Sequence, residues 1–312
     1  MMGDPFKLLG RAEHAIDVDA IMEPLRGQRI LVTGAAGTIG SAVSAWLHEH
    51  HEGELICCDR DESRLYQMGE ALAPQHPQTH LVLADVALPE DMIRICERYR
   101  PDLVIHAAAY KHVPLLEDHS YAAQRNNVEG TRTALRCAMK ANALCRFVLV
   151  STDKAVYAAN VMGKTKRHAE LLVLAQGETT VVRFGNVLGS SNSVVDIWLR
   201  QVERGQEITV TDPEMTRFFM TLNEAAALVL SAAGDDEAVG RICVPDMGEP
   251  IRMGDLASRF VKANGGAMVF TAPRPGEKPA ERLTHDNEYV LHDRGRYRIY
   301  VARQASGIEA TR

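Results

Sequence analysis

Apolar residues along the chain fall into short unbroken runs separated by stretches with helical spacing. The runs are RILVTG (29–34), ELICCD (54–59), HLVLAD (80–85), LVIHAAA (103–109), RFVLVST (146–152) and TTVVRFG (179–185). They do not alternate with polar residues, which is the pattern of strands covered on both faces. Between them, TIGSAVSAWLHEHH, SRLYQMGEALAP, PEDMIRICERYRP, YAAQRNNVEGTRTALRCAMKANA and VMGKTKRHAELLVLAQ carry apolar positions at helical spacing. Pro89 near the first turn of one helix and Pro101 beyond its end mark its limits. Strands alternating with helices predict an α/β fold, a Rossmann-like doubly wound parallel sheet.

From about residue 186 the alternation loosens, and Pro213, Pro245, Pro250, Pro273, Pro275 and Pro279 punctuate the chain. We therefore read a lead-in at 1–27, a dinucleotide-binding domain at 28–185, and a smaller C-terminal substrate-binding lobe at 186–312 with some segments returning to the sheet. The net charge, 35 − 41 = −6, argues against a nucleic-acid or anionic-membrane surface. No apolar run is long enough to span a bilayer, and the N-terminal stretch lacks an apolar signal core. A cytoplasmic protein with no direct membrane insertion is expected. Cys57, Cys58, Cys96, Cys137, Cys145 and Cys243 form no C-x-x-C pair, and the 12 histidines show no metal-type cluster. Neither a disulfide nor a metal site is expected.

The loop VTGAAGTIGSAV spaces Gly34, Gly37 and Gly40 as G-x-x-G-x-x-G between the first strand and its helix. Glycine permits a tight turn and close approach to a pyrophosphate, and the helix N-terminus offers N–H groups to it. Asp59 closes the second strand, 59 − 40 = 19 residues past Gly40, where an acid would hydrogen-bond the adenosine ribose. A carboxylate there repels a 2′-phosphate, so NAD is expected over NADP, although Arg60 could receive that phosphate. Asp85 either meets the adenine or caps a turn before PEDM; both readings stay open. The small residues of HAAAY, His106–Tyr110, would let the nicotinamide half pass close to the backbone, or they serve tight strand–helix packing.

VSTDKAVYAANVMGKTK, Val150–Lys166, poses the chemical question. Short-chain dehydrogenases carry Tyr-x-x-x-Lys at this junction. Here Lys166 is present, but Met162 stands in the tyrosine's place, and a thioether cannot exchange a proton. By themselves Asp153 and Lys154 read as a solvated turn after a strand, and Met162 as an adaptable apolar filler.

HAAAYKHVPLLE, NNVEGT, STDKAV, NVMGKTKR, RFGNVLGSSNSV, ITVTDPEMTRFFMT, DMGEPI and RPGEK occur in that order. Together they resemble the polysaccharide-biosynthesis branch of the extended short-chain dehydrogenase/reductases. More narrowly, the chain resembles the catalytic half of UDP-N-acetylglucosamine 4,6-dehydratases of the Met-for-Tyr type, from about Leu8 to Glu281. The resemblance implies a UDP-sugar substrate, internally recycled NAD and a homo-oligomer, with no membrane half in this chain. It implies that Thr152 hydrogen-bonds O4, Asp153 is the acid to the leaving C6 hydroxyl, Lys154 is the base at C5, and Lys166 holds the nicotinamide ribose. Thr38, Ile39, Val86, Ala107, Ala108, Tyr110 and Asn127 join the glycines, Asp59, Arg60 and Asp85 as cofactor contacts.

On the substrate side it implies Lys111, His112, Met162, Asn186 and Val194, with Arg217 and Arg274 clamping the diphosphate and Glu277 on the uridine ribose. One departure stands out. The family usually has Asn-Pro-Thr where this chain has Tyr157-Ala158-Ala159, and one expectation is that Tyr157 reaches into the site and replaces the lost phenol. Two rival functions remain: a UDP-hexose 4-epimerase, which needs no acid at O6, and a non-catalytic NAD- or nucleotide-sugar-binding regulator.

Overall fold

The computed structural model describes residues 8–12, 14–72, 78–274 and 276–302. The six apolar runs form strands β1 Ile30–Thr33, β2 Leu55–Asp59, β3 Thr79–Leu83, β4 Leu103–His106, β5 Arg146–Thr152 and β6 Thr179–Phe184. Three further strands, β7 Arg241–Pro245, β8 Glu288–Asp293 and β9 Tyr297–Ala302, extend the same sheet. Its order is β8-β9-β7-β6-β5-β4-β1-β2-β3. The seven strands from β7 to β3 are parallel, while β9 and β8 close that edge as an antiparallel hairpin.

The main helices are α1 Thr38–His50, α2 Glu62–Leu72, α3 Pro89–Tyr99, α4 Gly130–Ala141, α5 Val161–Leu174, α6 Val194–Glu203, α7 Leu222–Gly234 and α8 Met253–Asn264. Among the described residues no helix is long and apolar enough to cross a membrane. Helices α1, α2 and α7 cover one face of the sheet, where Val43, Leu47, Leu65 and Val229 share a core with Ile30 and Val32. Helices α3, α4 and α5 cover the other, where Ile95, Leu135 and Val173 share a core with Leu31, Val104 and Leu149. Neighbouring residues of one strand thus enter opposite cores, which is why the strands are apolar throughout. The doubly wound α/β expectation is borne out.

The long helix expected over 121–143 is interrupted. A helix at Ser120–Ala123 widens into a π-helical turn at Gln124–Glu129 before α4 begins. That turn buries Asn126, Asn127 and Val128 in succession, and π turns of this kind concentrate at functional sites.

The lobe has its own core. Trp198 of α6 packs on Phe260 of α8 with ring centroids 5.4 Å apart, joined by Val195, Ile208, Val210 and Leu256. Leu8 and Leu9 of the lead-in insert into it, and Arg11 pairs with Glu224 at the start of α7. Short strand pairs tie the lobe together, among them Thr216–Arg217 with Ile251–Arg252 and Ile208–Val210 with Met268–Phe270. β1 and β4 are neighbours whose connections leave in opposite directions, so a crevice opens at their C-terminal ends.

Candidate active site

Three cavities of about 210, 420 and 280 Å³ share walls and form one trench along the C-terminal ends of the strands and under the lobe. The first is lined by Gly34, Gly37, Asp59, Arg60, Asp85, Val86, Ala107 and Ala108. Gly34 has φ +68°, and a Cβ added there would lie 2.6 Å from the Ala108 backbone. Only glycine lets this turn lie so close against the end of β4. Gly40 is equally confined, since a Cβ would come within 2.0 Å of the Gly34 carbonyl oxygen. Gly37 caps α1 without a side chain, so the first N–H groups of the helix face the trench, where Thr38, Ile39 and Gly40 line its second cavity. This cradle fits a dinucleotide pyrophosphate.

Gly34→Ala is expected to cost about 2–5 kcal/mol, from the left-handed backbone and the overpacking together, and to abolish tight NAD binding. Urea denaturation and NAD titration of the variant measure both effects.

Asp59 accepts hydrogen bonds from the Ala36 and Asp61 amides at 2.9 and 3.0 Å, which fixes its carboxylate at the cavity wall. Arg60 crosses the cleft: it donates to Asn126 Oδ1 at 3.2 Å, stands 3.7 Å from Asp85 and lies over the Tyr110 ring. Asp85 accepts from the Ala87 amide at 2.9 Å, as the turn-cap reading expects, and it also lines the cleft. Asn127 lies behind the cleft. It clamps the Tyr110 backbone, accepting from its N–H at 2.8 Å and donating to its carbonyl at 3.1 Å, and is not on the cavity wall; Asn126 is. His106 is likewise structural, buried between the Thr33 and Thr131 hydroxyls, with burial pushing its pKa down to about 3.

The second cavity is lined by Tyr110, Thr152, Lys154, Met162 and Lys166. β5 ends at Thr152, and a single 3₁₀ turn, Asp153–Ala155, follows. Asp153 Oδ1 accepts from Thr152 Oγ1 at 2.9 Å and from Lys154 Nζ at 3.0 Å, while its Oδ2 is buried without a hydrogen bond among the described residues. Asp153 lies behind the wall; Thr152 and Lys154 form it. Helix α5 then brings Met162 and Lys166 to the same face, one turn apart. Its approach is close: a Cβ on Gly163 would lie 2.2 Å from the Lys154 carbonyl oxygen. Met162 is buried and packs near Leu116 and Tyr110. Lys166 donates to the Val150 carbonyl at 2.7 Å, and burial lowers its pKa to about 8, partly offset by Glu170.

Tyr157 does not enter the trench. Its ring lies edge-on to His285 at 4.7 Å and its hydroxyl accepts from the Asp286 amide at 3.0 Å. The backbone has φ +45°, a left-handed conformation that asparagine tolerates and tyrosine rarely adopts. The aromatic ring is thus held by the C-terminal segment and cannot replace the phenol. Tyr157→Phe is expected to leave turnover within about twofold and to cost about 0.5–1.5 kcal/mol, the value of one hydrogen bond. Steady-state kinetics and thermal unfolding check this.

The third cavity gathers the expected substrate residues Lys111, His112, Asn186, Val194, Arg217, Arg274 and Glu277. Arg217 is buried, donates to the Thr216 carbonyl at 2.8 Å, and has no carboxylate partner among the described residues. A buried guanidinium of this kind calls for an anion. Lys111 donates to the Ser191 carbonyl at 2.9 Å, and burial together with nearby Arg64 pushes its pKa down. Burial and Lys111 lower that of His112. Glu277 accepts from the Arg274 amide at 3.0 Å. Among the wall residues that the sequence reading missed are Asn126, Arg64, which lines both the first and second cavities, Asn160 and Glu281.

The fold and the trench together define an extended short-chain dehydrogenase/reductase. A family profile described as "Polysaccharide biosynthesis protein" matches residues 30–303, and the chain belongs to that family. It is 40% identical over 295 residues to "Probable polysaccharide biosynthesis protein EpsC" of Bacillus subtilis (strain 168), covering 90% of this chain and 49% of that protein. The chain therefore spans about half the length of that relative. It is 33% identical to UDP-glucose 4-epimerase of Rickettsia akari (strain Hartford), covering 86% of this chain and 82% of that one. Among solved structures, Pen from Bacillus thuringiensis superposes with a TM-score of 0.78 at 29% identity over 88% and 87% of the two chains. The dTDP-glucose 4,6-dehydratase DesIV of Streptomyces venezuelae, solved with NAD and TYD bound, shares the fold with a TM-score of 0.71 at 22% identity over 82% and 88%.

Proposed function

We propose that this chain is the catalytic unit of an NAD-dependent UDP-N-acetylhexosamine 4,6-dehydratase, releasing a UDP-4-keto-6-deoxy sugar. The observation that carries the proposal is the Thr152–Asp153–Lys154 cluster, hydrogen-bonded at 2.9 and 3.0 Å where the cofactor and substrate cavities meet. The glycine cradle, Asp59 and Lys166 would hold NAD, which when bound takes hydride from sugar C4 and returns it at C6. Arg60 is engaged with Asp85 and Asn126, which supports NAD over NADP.

Thr152 accepts the O4 proton and passes it to Asp153, with which it already shares a hydrogen bond. The resulting 4-keto group acidifies C5–H. Lys154 Nζ removes that proton. Asp153, now carrying the O4 proton, gives it through Thr152 to the departing C6 hydroxyl, which leaves as water. Lys154, whose N–H hydrogens exchange with solvent, returns a solvent-derived proton to C5 as C6 is reduced. The three residues end as they began, and the sugar has lost one water. Each side chain is used in a role its contacts permit, so Met162 needs no proton chemistry; it supplies an apolar wall.

The epimerase is the second reading, favoured by the likeness to the Rickettsia akari enzyme. It requires oxidation and re-reduction at C4 alone and leaves Lys154 without work. Incubation with excess UDP-N-acetylglucosamine and substoichiometric NAD separates the two. A dehydratase converts many equivalents to a 4-keto product with no net accumulation of reduced cofactor. Formation of the C4 epimer, with C6 intact, would refute the proposal.

A further inference from the structure

We infer that Arg64 completes the cofactor cradle: its guanidinium hydrogen-bonds the pyrophosphate of the bound dinucleotide. The inference rests on the dinucleotide reading above and deepens it. Arg64 lines the first cavity together with Asp59 and Asp85, and the second together with Thr38, Lys111 and Lys166. Gly37, which caps α1, also lines both. A dinucleotide with its adenosine in the first cavity and its nicotinamide half in the second has its pyrophosphate where the two cavities meet. Gly37 and Arg64 stand at that junction. The Arg64 side chain is 53% exposed, so a ligand in the trench can reach it.

The charge on the walls favours a phosphate there. The second cavity carries Arg64, Lys111, Lys154 and Lys166, with no carboxylate among its described wall residues. A lining of one sign draws the opposite charge. Three of these cations already donate within the protein: Lys111 to the Ser191 carbonyl, Lys154 to Asp153 and Lys166 to the Val150 carbonyl. The Arg64 guanidinium makes no hydrogen bond among the described residues and stands 3.5 Å from Asp61. Its starting point is fixed by the backbone. The Asp61 amide donates to Asp59 at 3.0 Å, and Asp61 in turn accepts from the Arg64 amide at 3.1 Å in the first turn of α2. The side chain thus leaves from a turn tied to the carboxylate expected on the adenosine ribose, and its fork matches phosphate oxygens. A 2′-phosphate on that ribose would instead lie in the first cavity, whose wall carries Asp59, Asp61 and Asp85. The pyrophosphate is therefore the group assigned to Arg64.

The test is calorimetric titration of NAD and of NADP, at low and at high salt, into wild-type, Arg64→Met and Arg64→Lys proteins freed of bound dinucleotide. Arg64→Met keeps the aliphatic stem and is expected to weaken NAD by roughly five- to thirtyfold at low salt, and NADP by the same factor. The gap from wild type is expected to narrow at high salt, which screens an exposed charge. Arg64→Lys, which keeps the charge but not the fork, is expected to fall between. The Asp61 contact is exposed, so the ligand-free variants are expected to unfold at the wild-type temperature. Should Arg64→Met not fold, Arg64→Gln is titrated in its place. Unchanged NAD affinity, a loss confined to NADP, or a loss that high salt does not narrow would overturn the assignment. Failure of the wild-type protein to bind either dinucleotide would overturn the dinucleotide reading itself, and this inference with it.

Discussion

Replacing Lys154 with Met is expected to lower dehydration turnover by about 10²–10⁴-fold, the usual contribution of a positioned general base. Lys154, like Lys111, lines both the second and the third cavity, and of the two it alone hydrogen-bonds Asp153 among the described residues. On the proposed mechanism its removal takes away the base at C5 but leaves Thr152 and the glycine cradle in place, so oxidation at C4 should survive better than loss of water. Pre-steady-state absorbance at the reduced-cofactor band should therefore show reduction persisting in Lys154→Met while product formation stops. Asp153 then keeps only the Thr152 hydroxyl as a hydrogen-bond partner among the described residues, so the variant's thermal stability is measured alongside. A folded Lys154→Met protein with turnover within about tenfold of wild type would remove Lys154 from the mechanism.

Arg183→Leu is expected to destabilise the fold by about 3–5 kcal/mol, because it strips the cation from two buried carboxylates. Arg183 is fully buried on β6 and pairs with Glu170 at 2.7 Å and Glu288 at 2.8 Å. Glu170 also accepts from the Ser151 hydroxyl at 2.6 Å and from Arg167. The network fastens the hairpin β8–β9 to the strand and helix that carry Thr152 and Lys166. Burial pushes the Glu170 pKa up, but Arg183, with Ser151 and Arg167, outweighs it and holds the carboxyl below its ordinary value of 4.5. Its contribution to wild-type stability is therefore complete above that value and is lost as pH falls through the lowered folded pKa. Without Arg183 the burial effect is opposed only by Ser151 and Arg167, so the deficit of the variant should shrink on acidification toward pH 4.5. Urea unfolding of both proteins across this range measures it.

The sheet and the cofactor cradle were legible because each rests on local chemistry. Unbroken apolar runs signal strands buried twice, and the spacing of Gly34, Gly37 and Gly40 signals a backbone that must lie against β4. The run STDK pointed to the candidate cluster for the same reason, since three consecutive residues at a strand end need no long-range information. The remainder depends on contacts between distant residues. Asn126 and Asn127 are adjacent and chemically identical, and only the π turn decides that Asn126 faces the cleft and Asn127 the Tyr110 backbone. Tyr157 turns away because His285 and Asp286, more than a hundred residues later, receive it. Glu281 resembles any surface glutamate until Thr216 and Asn160 fix its segment at the cavity. Strands β8 and β9 are half exposed and lack the continuous apolar run of their parallel neighbours, which is why they merged with the lobe in sequence.

The central claim is most directly tested by mass spectrometry of UDP-N-acetylglucosamine after incubation with the protein and NAD in heavy water. A dehydratase using Lys154 at C5 gives a product that has lost one water and gained one non-exchangeable deuterium at C5. A sugar of unchanged mass, recovered as its C4 epimer, would contradict dehydration and establish the epimerase in its place.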